Sequence, residues 1–198
     1  MNKRAETDHE IHTLLAERWS PVAYDPRPIP DELLGSLLEA ARWAPSCFND
    51  QPWFFVVARR QETEEFERML ECLVEGNREW ARNASVLMIT AVRTTFQRNR
   101  KPNRFAAHDL GLAVGGLLVQ ATEMGLVVHQ MGGFDPAKAR EIYGIPEDIE
   151  PMTAVAIGYR DDPSILSRDL RTREMQPRQR KPLSSFVFSG DWDSPAGF

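Results

Sequence analysis

The run Ala41-Arg42-Trp43-Ala44-Pro45-Ser46-Cys47-Phe48-Asn49-Asp50-Gln51-Pro52-Trp53 gathers side chains suited to holding a ligand. Pro45 makes continuation of the preceding helical pattern unfavourable, and a hydrophobic strand signal, Phe54-Phe55-Val56-Val57, follows. The polar loop is therefore held between two rigid elements, a common place for ligand groups. It carries an amide pair, Asn49 and Gln51, with a hydroxyl at Ser46 and a thiol at Cys47, but no charged catalytic dyad. That set suits holding a heterocycle that does its own chemistry.

Other segments make sense around one anionic, planar ligand. Arg18-Trp19-Ser20 ends the first helical pattern with a cation, an aromatic ring and a hydroxyl, and Arg178-Gln179-Arg180-Lys181 supplies further charge. Arginine forks match phosphate oxygens, and a serine hydroxyl adds a bond. Taken alone, Arg18 and Ser20 read as ordinary helix-end residues. Gly132-Gly133 follows a short strand signal and lets backbone N–H groups approach a ligand, or simply makes a turn. Asn77 reads equally as a loop or cap residue. The order of these segments along the chain says more than any one of them.

The familiar signatures GxGxxG, GxxxxGK[ST], GxSxG and HExxH are absent. His9 and His12 lie three apart without a defined third ligand, so a surface role outweighs a metal site. Cys47 or Cys72 with His108 or His129 is the alternative of a thiol hydrolase, but no spacing supports a triad.

To position these groups the chain has 198 residues, the size of one domain, with 42% apolar and 27% charged residues. No apolar run reaches the roughly 20 residues that span a bilayer, and Met1 to Asp8 mixes charges of both signs, unlike a signal peptide. The two cysteines form no CxxC pair, which fits a reducing compartment, and cytoplasm is the expectation. A net charge of −5 argues against nucleic acid as the main partner. The cluster Arg93, Arg98, Arg100, Lys101 and Arg104 reads as a solvated face.

Periodicity predicts a helix over about Glu10–Arg18 and, after a proline-rich connector, one capped by Asp31 with Leu33, Leu34, Leu37, Leu38 and Ala41 apolar. A strand Trp53–Ala58, a helix Glu62–Val74 and a strand Val86–Val92 follow. The longest helix is expected over Phe105–Glu123, ended by Gly125; Gly111 and Gly115 share one side of it, for core packing or a subunit interface. A strand Leu126–His129, a helix Asp135–Tyr143 and a strand Thr153–Ile157 complete an α+β, three-layer arrangement. From about Asp161 the chain reads as a polar tail with aromatics at Phe186, Phe188, Trp192 and Phe198, packing along another surface.

Over nearly its full length the chain resembles the nitroreductase family of FMN oxidoreductases. The matching segments are Arg18-Trp19-Ser20-Pro21, the run from Ala40 to Trp53, Asn77 with Trp80-Ala81, Asp109-Leu110-Gly111, Gly125-Leu126, Gly132-Gly133-Phe134-Asp135 and Arg178 to Leu183. The resemblance implies an α-β-α domain with a central mixed or antiparallel sheet, and a homodimer with FMN at the subunit interface. It implies that Arg18, Ser20, Arg178 and Arg180 hold the phosphate and ribityl chain, with Trp19 also at the cofactor, that Asn77 bonds the pyrimidine edge, and that a backbone N–H of Gly132 or Gly133 faces N5. Pro45, Ser46, Cys47, Asn49 and Gln51 would approach from the partner, the tail would wrap the neighbour, and the long helix would lie in the dimer core. NADH or NADPH would be the reductant and an electron-poor small molecule the acceptor; dehalogenation, desaturation, flavin breakdown and non-catalytic flavin binding are the alternatives on the same fold. Two family cations near the flavin N1–O2 edge are here Val22 and Trp80, which implies a lower reduction potential unless a cation from Arg93–Arg104 compensates.

Overall fold

The protein is described by a computed structural model over residues 3–197. Met1, Asn2 and Phe198, parts of the two terminal segments read above, lie outside the described residues. Helices are α1 (Thr13–Glu17), α2 (Asp31–Arg42), α3 (Thr63–Glu71), α4 (Glu75–Ala81), α5 (Ala106–Glu123), α6 (Pro136–Tyr143) and α7 (Arg168–Met175); strands are β1 (Tyr24–Asp25), β2 (Trp53–Arg59), β3 (Val86–Arg93), β4 (Val127–Met131) and β5 (Ile149–Arg160).

The unbroken apolar run of β3 has a simple cause: both faces are covered. Val86 and Met88 point into a cluster with Leu34, Leu37 and Ala41 of α2 and Ala113, Leu117 and Ala121 of α5. Leu87 and Ile89 point the other way, among Phe66, Met69 and Leu70 of α3, Trp80 of α4 and Ala139 of α6. On β5, Val155 and Ile157 join the first cluster, Ala154 and Ala156 the second. The period of two thus sorts one sheet between two helical layers, as expected.

All pairings are antiparallel: β2 with β3, β3 with β5, β4 with β5, and the two-residue β1 with the end of β5. β5 begins at Ile149, earlier than the apolar pattern suggests, because Pro151 sits just past a register shift at Thr90/Ala91, where its missing N–H is tolerated.

Several boundaries differ from the sequence reading. Helix α1 is shorter, begun by His12, whose Nδ1 accepts from the Leu14 amide, and it buries Ala16 while Leu15 stays exposed. Pro30 occupies the cap position of α2; Asp31 is its first helical residue and pairs with Arg59 at 2.5 Å. The expected helix Glu62–Val74 ends at Glu71, and α4 follows, so Asn77 is helical rather than in a loop. The tail contains α7, which packs on its own chain through a buried Glu174. Gly116 makes the close α5–α2 approach: a Cβ there would lie 2.9 Å from the Ala40 carbonyl oxygen, whereas at Gly111 and Gly115 it would meet nothing within 4 Å. Those two glycines are not used inside the chain.

Candidate active site

The segment from Lys3 to Val22 and the segment from Glu174 to Arg180 meet at a cluster of cations. Arg178 donates through Nη1 to the carbonyls of Lys3 (2.8 Å) and Ala16 (2.7 Å), Lys3 Nζ donates to the Glu174 carbonyl, and the Glu174 carboxylate accepts from the Val22 amide at 3.1 Å. These bonds seat α7 against the segment after α1. Arg18, Trp19, Ser20, Arg178 and Arg180 then line one cavity of ≈ 280 Å³. Arg18 donates to Ser20 Oγ at 3.4 Å. Burial, then repulsion from Arg178 and Arg180, pulls the Arg18 guanidinium below its ordinary value; burial and Arg180 act likewise on Arg178. The one carboxylate in the lining, Glu174, is directed to Val22, and burial pushes its carboxyl up. Cations that repel each other in a half-buried cavity make an anion site.

Asn77 and Gly133 meet as well. Asn77 Nδ2 donates to the Gly133 carbonyl at 2.9 Å, and the Val74 amide donates to the same oxygen at 3.2 Å. A Cβ on Gly133 would fall 2.6 Å from Asn77 Nδ2 and 2.9 Å from Val74 Cγ2, so any larger residue must displace those side chains; at Gly132 a Cβ meets nothing within 4 Å. Trp80 follows Asn77 by three residues on α4, and Val22 lines the cation cavity. Both are buried, Trp80 stacked on Tyr24 at 6.0 Å and packed on His129. His129 donates Nδ1–H to the Pro21 carbonyl at 2.9 Å, and burial lowers its pKa.

The Pro45–Gln51 loop is built differently. Phe48, Asn49 and Gln51 all have positive φ, 54°, 55° and 47°, a costly conformation for side chains other than glycine and least so for Asn. Side-chain bonds hold it: the Gln51 amide donates to Ser46 Oγ (3.0 Å), Gln51 Nε2 to the Asn49 carbonyl (3.1 Å), and the Cys47 amide to the buried carboxylate of Asp109 (3.0 Å). The other Asp109 oxygen meets His108 Nδ1 at 3.2 Å. Asp50 Oδ1 accepts from the Gln97 amide (3.1 Å), and Gln97 Nε2 donates to the Asp50 carbonyl (3.2 Å). Asp109 and Gln97 were not singled out as site residues from sequence; a lone acid in the first turn of an otherwise apolar α5 was the available signal for the former.

The structure therefore brings the predicted residues together in three groups rather than one. The cation cavity contains none of Pro45–Gln51, and the loop borders a separate cavity of ≈ 680 Å³ shared with Gln97 and Arg98. The remaining candidates fare differently. Cys72 is buried with its thiol pushed up by burial, the opposite of an activated nucleophile. His12 caps α1, and among the described residues no cluster of three His, Cys, Asp or Glu side chains is placed to hold a metal ion. No helix among them is long and apolar enough to cross a membrane.

Residues 15–159 match the nitroreductase family. The chain is 28% identical to an NADH dehydrogenase of Thermus thermophilus, covering 90% of this chain and 95% of that protein. A crystal structure of an oxidoreductase containing FMN is 38% identical, with a TM-score of 0.91 and 98% of both chains covered. A nitroreductase family protein of Clostridium difficile, 24% identical with a TM-score of 0.70 over 90% of this chain and 97% of that one, shares the fold.

Proposed function

The chain belongs to the nitroreductase family, and from that premise we propose that it is a homodimeric FMN oxidoreductase. NADH or NADPH is the donor, and an electron-poor small molecule (a nitroaromatic, quinone or activated enone) is the acceptor. The observation that carries this reading is the convergence of Arg18, Ser20, Arg178 and Arg180 around a cavity whose one carboxylate is directed elsewhere. Such a cradle fits a phosphate monoester, and the 38% identity to an FMN-containing oxidoreductase supports the choice. When bound, FMN supplies the hydride chemistry, so the protein needs no nucleophile.

The chain's own residues then have distinct tasks. Arg18 and Arg180 bind the phosphate; Arg178, fixed by two carbonyls, positions the tail that carries Arg180. Asn77 holds Gly133 in place and, with Gly132, borders the flavin ring. Pro45, Ser46, Cys47, Asn49 and Gln51 approach that ring from the other subunit, which accounts for their separation from the cradle within one chain. Gly111 and Gly115, open on the outer side of α5, and the exposed Phe186 and Trp192 of the tail supply surface for the partner. The domain comprises residues 1–198 with about 161–198 as its tail, and it works in the cytoplasm.

The test is the visible spectrum of the FMN-incubated protein before and after anaerobic NADH or NADPH. Bleaching of a protein-bound flavin supports the assignment and identifies the donor. A bound flavin that neither nucleotide bleaches contradicts the oxidoreductase reading, and no flavin binding contradicts the cofactor.

A further inference from the structure

The segment between β3 and α5 carries the second basic cluster, and its arginines are not equivalent. Arg93 and Arg100 each lie 3.6 Å from Asp148, and Arg104 packs over Phe105. Arg98 has no carboxylate partner among the described residues. Its guanidinium lies 3.7 Å from the ring centroid of Phe48, the exposed aromatic of the strained loop, and 5.5 Å from that of Phe96. Phe48 and Phe96 meet edge to face at 6.0 Å. The paired Gln97–Asp50 bonds fasten this segment to the loop, so Arg98 keeps a fixed relation to Asn49 and Gln51 across their shared cavity.

Two features separate Arg98 from an ordinary solvated cation. A positive φ of 54° is maintained at Phe48, which remains 69% exposed within its own chain, so burial inside that chain does not repay the strained backbone. The acid in the lining of this cavity, Asp50, is engaged elsewhere: one carboxylate oxygen accepts from Gln97 and the other is buried without a hydrogen-bond partner. The accessible charge of the cavity is thus Arg98, beside an aromatic face and two side-chain amides.

Resting on the oxidoreductase reading, we infer that Arg98 is a specificity-determining residue of the acceptor site and selects planar acceptors bearing a carboxylate. The aromatic ring of the acceptor lies against Phe48, and its carboxylate accepts from the guanidinium.

The experiment uses the FMN-loaded protein with two acceptors of equal size, 4-nitrobenzoate and 4-nitrobenzamide. The ratio of their kcat/KM values, acid over amide, is expected to exceed one in the wild type and to fall about tenfold in Arg98→Gln, with partial recovery in Arg98→Lys. Calorimetric titration with benzoate, which is not reduced, is expected to show about tenfold weaker binding to Arg98→Gln, and added salt should narrow the gap. A ratio and a benzoate affinity that Arg98→Gln leaves unmoved, with turnover intact, overturn this inference alone. Turnover of neither acceptor also overturns this inference alone, whereas a flavin that NAD(P)H does not bleach overturns the functional reading and this inference with it.

Discussion

Under the proposed function, the cation cradle and the Pro45–Gln51 loop hold one ligand by opposite means. The cradle concentrates like charges from two segments remote in sequence, ordered by bonds of Arg178, Lys3 and Glu174. The loop is short in sequence, lacks a free charge of its own, and holds strained backbone angles by side-chain bonds to Ser46, Asp109 and Gln97. Charge gives affinity for a phosphate wherever it is gathered. Fixed backbone gives orientation, which depends on each supporting bond. Damage to the first should appear in cofactor affinity, damage to the second in stability and geometry.

The largest expected stability effect is in the loop. Asp109→Ala leaves the Cys47 amide without its acceptor and should cost about 1–3 kcal/mol in denaturant unfolding, with Asp109→Asn recovering part of it. An Asp109→Ala protein as stable as the wild type would remove this carboxylate from the loop's support. Next comes Gly133→Ala, where the added methyl must displace Asn77 or Val74; a loss of about 1–2 kcal/mol and a lower melting temperature are expected. Unchanged melting would mean that Asn77 turns away freely and does not fix the glycine pair.

In the cradle, the ligand-free protein should behave in the contrary manner. Arg180 is exposed, bonds the Gln179 carbonyl, and repels Arg18 and Arg178. Arg180→Ala should therefore leave apo stability within about 0.5 kcal/mol of the wild type or raise it. A clear loss would show that Arg180 supports the fold. Smallest is the effect of Glu174→Gln, read as a pH trend. Burial raises the Glu174 carboxyl, so folding favours its protonated form. That contribution is complete below the unfolded glutamate value of about 4.3 and is lost as pH rises through the higher folded value. The variant, which does not titrate, should gain on the wild type across that window and then run parallel to it in unfolding curves at successive pH values. A gap independent of pH would contradict the direction of the shift.

What the sequence made legible follows the same division. The loop was visible because its residues are consecutive and its edges are marked by Pro45 and a strand signal. Its supports were less visible: Asp109 is remote in sequence, and Gln97 lay in a segment read as a solvated face. The cradle was visible as Arg18-Trp19-Ser20 and the separate Arg178–Lys181 cluster, but not the means of joining them, since α7 is a charged helix that buries just Glu174 and offers no apolar stripe. Helix α4 escaped for a related reason: Gly76 and Asn77 lower the helix propensity of a seven-residue segment whose buried contacts, Trp80 and Ala81, come at its end. The main strands and α5 were readable because continuous or periodic apolar patterns reflect burial directly, as β3 between two helical layers illustrates.

Whether the cradle holds the cofactor phosphate is tested most directly by the affinity for FMN relative to riboflavin, which differs by that phosphate alone. Equilibrium titration should show a strong preference for FMN in the wild type. In Arg18→Ala/Arg180→Ala the preference should fall about a hundredfold or more, from the loss of two charge-assisted contacts, while riboflavin binding changes little. An equal preference for FMN in the double variant and the wild type would contradict the assignment of these arginines, and with it the division of labour between cradle and loop.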